Sequence, residues 1–356
     1  MKHNGKYAAS RRTPLFVVII LDALVLGAAL LAFAFFHHVL PKIETERELE
    51  RLQLQYQQME QTRPTEPQPT EPGESTVSTE TTVPDNRTEW QKKFADKFTD
   101  EVVITDNSYT SPEVSITIET VVVGEGKHKI TYYVADVYIA SMENFKTYTP
   151  HGQMIYFDTQ PAEDMAAASN AILAMSGDFL TYQKNGFLVR NGETYVANRN
   201  FVPICVLYSD GTMVTYEAGK YTVDEIMAKN PVQVWSFGPA LLDDNGVPLT
   251  KFDVSTAVGY PNPRCGIGYY EPGHYCFVTV DGRQDNHSKG MLLGELSKVF
   301  ADLGCKVAYN LDGGGTSVML FDGDRVSKQS NGQRELGDIL VITESGYTVH
   351  SKEQQD

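Results

Sequence analysis

Leu15–Phe36 is a run of 22 residues interrupted by one charge, Asp22. At ~1.5 Å of rise per residue, a helix of that length reaches ~33 Å and crosses a hydrocarbon core. Lys2, Lys6, Arg11 and Arg12 precede it with no acid among them, and the acid-rich segment 43–60 follows. The positive-inside rule therefore keeps 1–14 cytoplasmic and places everything after residue 40 outside. The triplet Ala32-Phe33-Ala34 could serve a signal peptidase, but it lies inside the apolar run rather than after it. The run reads as an uncleaved single-pass anchor over 15–36.

Residues 43–61 carry Leu49, Leu52, Tyr56 and Met59 at spacings of three and four, a helical stalk. Residues 62–88 are rich in Pro, Thr, Glu and Ser, with Pro-Thr-Glu-Pro at 64–67 and again at 69–72. Such a stretch cannot bury enough apolar surface to fold, and it reads as an extended spacer. No second linker follows, so 90–356 reads as one large extracellular domain.

The chain has 30 Lys+Arg against 46 Asp+Glu, a net charge of −16. That balance repels phosphate backbones and argues against a nucleic-acid partner. Any anionic ligand must be met by local cations. Cys205, Cys265, Cys276 and Cys305 include no Cys-x-x-Cys pair, which excludes a zinc ribbon or a thioredoxin site. A Cys265–Cys276 disulfide is considered because the two lie on facing strands of one predicted hairpin, though out of direct register.

The pattern predicts a mixed α/β fold, largely a mixed β-sheet with flanking helices. A short helix is expected over 89–98 and strands near 114–122 and 129–139. A helix over 161–170 leads into a strand over 171–176, and a helix over 222–229 into a strand over 232–237. Hairpins should turn at Asn191-Gly192, Asp210-Gly211, 271–274 and Asp322-Gly323. The last strand falls over 336–343. Between 275 and 311 a strand, an amphipathic helix over 289–303 and a second strand form a predicted βαβ unit. Its two strands should be parallel, and open α/β sheets place ligands at the shared C-terminal edge.

What sits at those ends is chemically suggestive. Asp281-Gly282-Arg283 follows the first strand, and Asp312-Gly313-Gly314-Gly315-Thr316-Ser317 the second. If the strands over 171–176 and 232–237 join the same sheet in parallel, they add Asp178 and Ser236. Three consecutive glycines let a ligand approach the main chain, while Thr316 and Ser317 supply hydroxyls. Arg264, Arg283 and Arg334 are fork donors suited to phosphate, with surface ion pairs as their competing use. His287, close to Arg283, is a candidate proton carrier. The three strand-end aspartates can hold a divalent cation or be satisfied by the arginines. His-Glu-x-x-His, Gly-x-Ser-x-Gly and the nucleotide P-loop are absent from the sequence, which sets those reaction classes aside.

The segments Arg264-Cys265-Gly266-Ile267-Gly268, Val280-Asp281-Gly282-Arg283-Gln284, Ser288-Lys289-Gly290-Met291 and Asn310-Leu311-Asp312-Gly313-Gly314-Gly315-Thr316-Ser317 resemble the phosphodiester glycosidase family. Gly177-Asp178-Phe179 and Ser236-Phe237-Gly238-Pro239-Ala240-Leu241 resemble two upstream motifs of that family, and the likeness covers about 165–343. The family often has Asn before Gly where Ser176 stands here. The resemblance implies hydrolysis of a sugar-1-phosphodiester, with cell-surface glycan or wall polymer as the setting. Asp312, Asp178 and Asp281 are the candidate catalytic carboxylates, with Arg264 and Arg283 holding phosphate. Gly313–Ser317, Arg334, Ser236 and His287 would complete the binding set. A non-catalytic wall-polymer binding protein using the same glycine loop is the alternative.

Overall fold

Antiparallel pairing dominates the structure because most strands are joined by turns too tight for anything else. Asn191-Gly192 and Asp322-Gly323 are left-handed at both residues, the geometry that matches the twist of a two-residue hairpin. The computed structural model describes residues 85–155, 157–178, 186–197 and 202–350. The expected anchor, the stalk, most of the spacer and Phe179 lie outside the described residues. Among the described residues no helix is long and apolar enough to cross a membrane.

The strands form three sheets. The largest contains β1 (Val103–Ile104), β2 (Ser108–Thr110), β3 (Val114–Val123), β4 (Ile130–Ile139), β12 (Arg264–Glu271), β13 (His274–Val280) and β14 (Val307–Leu311), in the order β1-β2-β3-β4-β13-β12-β14. The second is β10-β9-β11-β7-β8, built from β7 (Phe187–Arg190), β8 (Glu193–Ala197), β9 (Ile204–Tyr208), β10 (Met213–Tyr216) and β11 (Pro231–Trp235). The third is β16-β15-β6-β17-β5, with β5 (Phe145–Tyr148), β6 (Leu173–Ser176), β15 (Met319–Phe321), β16 (Asp324–Arg325) and β17 (Ile339–Ile342).

This corrects the expected α/β sheet, since the fold is mostly β with few short helices. The helices before β6 and β11 have only seven and five residues. Neither helix joins its strand to the β13–β14 sheet or directly to a parallel neighbour: β5 and β6 run the same way with β17 between them, and β10 and β11 with β9 between them. Both strands instead enter the smaller antiparallel sheets, β6 between β15 and β17 and β11 between β9 and β7.

The strand–helix–strand unit over 275–311 survives in a modified form. β12 pairs antiparallel with both β13 and β14, so those two point the same way with β12 between them. This is a split βαβ unit. In the ladder Arg264 faces Val280 and Cys265 faces Leu311, so the start of β12 meets the ends of β13 and β14 at one edge. Asp281 and Asp312 are the next residues along.

The helix Leu293–Asp302 covers this sheet with Leu293, Leu296 and Phe300, a buried stripe at spacings of three and four. Phe300 lies directly on β12. A Cβ on Gly266 would sit 2.9 Å from its ring, and one on Gly268 2.8 Å. The two glycines let helix and sheet approach. Cys265 faces Thr279 in this ladder, while Cys276 faces Gly268. Positions 265 and 268 are an odd number apart and point to opposite faces, so the considered Cys265–Cys276 disulfide is not formed. All four cysteines are free and buried.

Truncating Phe300 leaves a hole against two residues that have no side chain to fill it. Phe300→Ala should cost about 3–5 kcal/mol in urea unfolding. A loss below about 1 kcal/mol would contradict this packing.

Candidate active site

The edge where β12, β13 and β14 meet opens into a cavity of about 330 Å³. Its lining includes Arg264, Arg283, Asp312, Gly313, Gly314, Gly315, Arg334, Asn262 and Phe237. The structure thus brings together the glycine loop, all three arginines and one of the three aspartates expected from the sequence. Asp312 is the carboxylate in this lining among the described residues.

Asp312 follows β14 and is 8% exposed. Its amide donates to the Gly177 carbonyl at 2.9 Å, and the Asp312 carbonyl accepts from the Ser176 hydroxyl at 3.0 Å. The end of β6 thus pins its backbone. Burial pushes its carboxyl up to about 6, aided by the charges of Asp178 and Asp338. Arg334 and the Thr316 hydroxyl act in the opposite direction without cancelling that rise. Arg334 Nη2 stands 3.9 Å from Asp312 Oδ1 on a side chain about half exposed to solvent.

The glycine loop is demanded by its neighbours. Gly314 has φ +69, and a Cβ there would lie 3.0 Å from Arg283 Nη2. A Cβ on Gly315 would strike the Gly332 carbonyl, and one on Gly313 would meet the Pro263 carbonyl at 2.7 Å. Arg283 is itself left-handed, φ +57, an uncommon setting for a residue with a side chain. Its guanidinium is held by Asn262, whose Oδ1 accepts from Nη2 at 2.8 Å and Nε at 3.3 Å. Arg264 is buried and donates to three carbonyls, Met291 at 3.0 Å, Val258 at 2.6 Å and Tyr260 at 2.8 Å. Burial and the neighbouring Arg283 charge lower it to about 10, with Glu295 opposing, so it stays a cation at neutral pH. Its main work is to clamp the wall formed by 258–260.

Other expected site residues lie outside this lining. Asp178 is buried beside the cavity rather than in its lining. Its Oδ2 accepts from the Ser236 amide at 2.7 Å and from Arg190 Nη2 at 3.3 Å. Arg190, fully buried, donates through Nε to Asp338 Oδ2 at 2.8 Å, and Asp338 Oδ1 accepts from the Asp178 amide at 2.6 Å. The Ser236 hydroxyl donates to the Phe187 carbonyl at 2.7 Å. Asp281 is absorbed by Tyr133, His287 and the Lys328 amide at 2.9, 2.7 and 2.9 Å. Burial raises its carboxyl, and the His287 contact opposes that rise. Neither Asp281 nor His287 lines the cavity. Thr316 turns back to the Gly313 carbonyl at 2.8 Å, and Ser317 is buried. Among the described residues no group of three or more His, Cys, Asp or Glu side chains is placed to hold a metal ion.

Arg190, Asp338 and Asn262 belong to no motif that the sequence singles out. A signal exists for two of them. Arg190 ends the apolar run Phe187-Leu188-Val189, and Asp338 begins Ile339-Leu340-Val341-Ile342. Charges bordering wholly apolar strands must find partners once buried.

A carboxyl with an elevated pKa is thus set in a cavity walled by guanidiniums and an unobstructed main chain, an arrangement able to receive an anion. The family model for phosphodiester glycosidases matches residues 169–343. The chain is 28% identical over 198 residues to the SPbeta prophage-derived uncharacterized protein YomE of Bacillus subtilis, covering 53% of this chain and 31% of that protein. It thus spans about a third of that curated relative's length. Its fold is similar to the zebrafish N-acetylglucosamine-1-phosphodiester alpha-N-acetylglucosaminidase catalytic domain, solved auto-inhibited by its pro-peptide. That match has a TM-score of 0.54 at 20% identity, over 68% of this chain and 88% of that one. A hypothetical protein from Synechocystis matches with a TM-score of 0.50 at 12% identity, over 65% and 62%. The chain belongs to the phosphodiester glycosidase family.

Two measurements probe the electrostatics. Asp312 holds its proton more tightly folded than unfolded, so its contribution to stability is full below about pH 4 and is lost as pH rises through about 6. Asp312→Asn should remove about 1–3 kcal/mol of the stability decline between those pH values, read from urea midpoints. An unchanged pH slope would contradict the buried setting. Arg190→Met should cost about 3–5 kcal/mol, because it strands two buried carboxylates. Arg334→Met, on an exposed side chain, should cost under about 1 kcal/mol.

Proposed function

We propose that the domain hydrolyses a sugar-1-phosphodiester to the free sugar and a phosphomonoester. The observation that carries the reading is the placement of the Asp312 carboxyl in one cavity with Arg283, Arg334 and the Gly313–Gly315 loop. The phosphate sits against the guanidiniums and the glycine main chain, and the anomeric carbon faces Asp312. Water supplies the oxygen that bonds to the anomeric carbon, the carbon–oxygen bond to phosphate breaks, the electron pair leaves with the phosphate, and the proton that water gives up passes to the departing phosphate or to solvent. Phosphate departs readily once the arginines neutralise it, so the carboxylate's main service is to the cationic sugar centre. By analogy with the name of the zebrafish relative, an α-linked N-acetylglucosamine-1-phosphodiester is the first substrate to test.

The test is hydrolysis of UDP-GlcNAc and of simple α-GlcNAc-1-phosphodiesters by the full chain, with and without EDTA. Asp312→Asn should lower kcat about 10³-fold with the circular dichroism spectrum unchanged. Arg283→Lys should raise KM about tenfold, since an ammonium cannot grip phosphate with two parallel bonds. The ionised form of Asp312 does the work in this scheme, so kcat/KM should rise with pH through about 6 and then level. Full activity in Asp312→Asn overturns the assignment. Glycan binding without turnover would favour the binding-protein alternative.

The setting is inferred from the sequence. The apolar run over 15–36, with its basic residues before and acidic residues after, supports a single-pass anchor that keeps the domain outside the cell. Cell-surface polysaccharide or wall polymer is then the accessible substrate pool. Protease added to intact cells should release the domain by cutting the spacer over 62–88, and protection from that protease would refute the orientation.

A further inference from the structure

The packing between the helix Leu293–Asp302 and the large sheet holds chemistry that phosphodiester hydrolysis does not use. Cys276 Sγ lies 3.5 Å from Cys305 Sγ, and both residues are buried. The pair exists because of Gly268. A Cβ at that position would stand 2.7 Å from each sulfur. Cys276 faces Gly268 across the β13–β12 ladder, and Ala308 of β14, three residues after Cys305, faces it from the other side. The glycine therefore opens a slot in the middle strand, and one thiol enters from each flank. Cys265 points to the opposite face, where its sulfur lies 3.7 Å from the Thr279 hydroxyl.

The sulfurs are at van der Waals separation and need to close by about 1.5 Å to reach bonding distance. Open space lies beside Cys305. Gly304 ends the helix at φ +83, and nothing lies within 4 Å of its Cβ position. The Cys305 amide is held by the Phe300 carbonyl at 3.0 Å, so the closing falls to the side-chain torsions of the two cysteines.

We propose that Cys276 and Cys305 are a disulfide-forming pair that is joined when the chain folds in the presence of a disulfide donor. One thiolate attacks the donor's sulfur–sulfur bond, forms a mixed disulfide and releases one donor thiol. The second protein thiolate then displaces the other donor thiol. Two protein thiols thereby lose two protons and two electrons, and one donor disulfide becomes two thiols. Both sulfurs are closed off in the finished fold, so exchange takes place while the helix and β14 are still docking. The bond ties β13 to the chain entering β14 across a sequence separation of 29. The loop it closes carries Arg283 to the cavity. This inference is independent of the substrate reading.

The experiment uses the full chain, refolded with oxidised glutathione and digested without reductant. It should yield one linked peptide pair containing Cys276 and Cys305, separated by a phosphine. The denatured, unreduced protein should have two reactive thiols, at Cys205 and Cys265. Reduction should lower Tm by about 5 °C or more in the wild-type chain and leave a Cys276→Ser chain unmoved. Four reactive thiols after oxidative refolding, or a linkage to Cys205 or Cys265, overturns the proposal.

Discussion

The site depends on a buried ion cluster that joins the sheets. Arg190 ends β7 in one sheet, while Asp178 and Asp338 flank β6 and β17 in another. Ser236, just past β11, donates its amide to Asp178, and Gly177 accepts the amide of Asp312 from the end of β14. Three sheets thus converge on one guanidinium and two carboxylates, all nearly free of solvent. Such a cluster adds little net stability compared with an apolar core, but it tolerates few alternative geometries because each misplaced charge would be buried without a partner. Asp312 inherits its position from this arrangement.

The same cluster shapes the chemistry next to it. One cation facing two carboxylates leaves a negative surplus under Asp312, which adds to burial in raising its carboxyl. On the open side the balance reverses, because Arg264, Arg283 and Arg334 all line the cavity. A protein with a net charge of −16 thereby presents a locally positive entrance. The roles of the three arginines differ with depth. Arg264 is buried and spends its donors on the wall, Arg283 is braced by Asn262, and Arg334 stands half in solvent beside Asp312.

Much of this architecture is legible in the order of the residues. The hairpins at Asn191-Gly192 and Asp322-Gly323 follow from residues that accept left-handed backbone, and both form there. The helix facing the sheet is legible from its apolar spacing. Asp312 and its three glycines read as a ligand loop because no ordinary turn needs so many missing side chains. Placing the strands over 171–176 and 232–237 in one sheet with β13 and β14 is the wrong extrapolation. Helix-then-strand order at 161–176 and 222–237 does mark crossovers, but each passes over one antiparallel strand within a smaller sheet, β17 for the first and β9 for the second. Asp178 and Asp281 are candidates for the same reason as Asp312, each following a strand, and only the tertiary structure shows what holds them, Arg190 for one and Tyr133 for the other.

By itself, the sequence determined the local events: where the chain turns, which faces are apolar, where backbone must be bare, and which motif marks the family. These depend on neighbours within a few residues. Tertiary structure alone decided which strands share a sheet, that β12 separates β13 from β14, and which charges meet. It selected Asp312 over Asp178 and Asp281 for the cavity, and recruited Arg190, Asp338 and Asn262 to hold the parts in place. The physical reason is that burial and charge pairing act between residues far apart in the chain. A strand-end aspartate is the same side chain at all three positions until packing settles whether it meets a cation, a histidine or an open cavity.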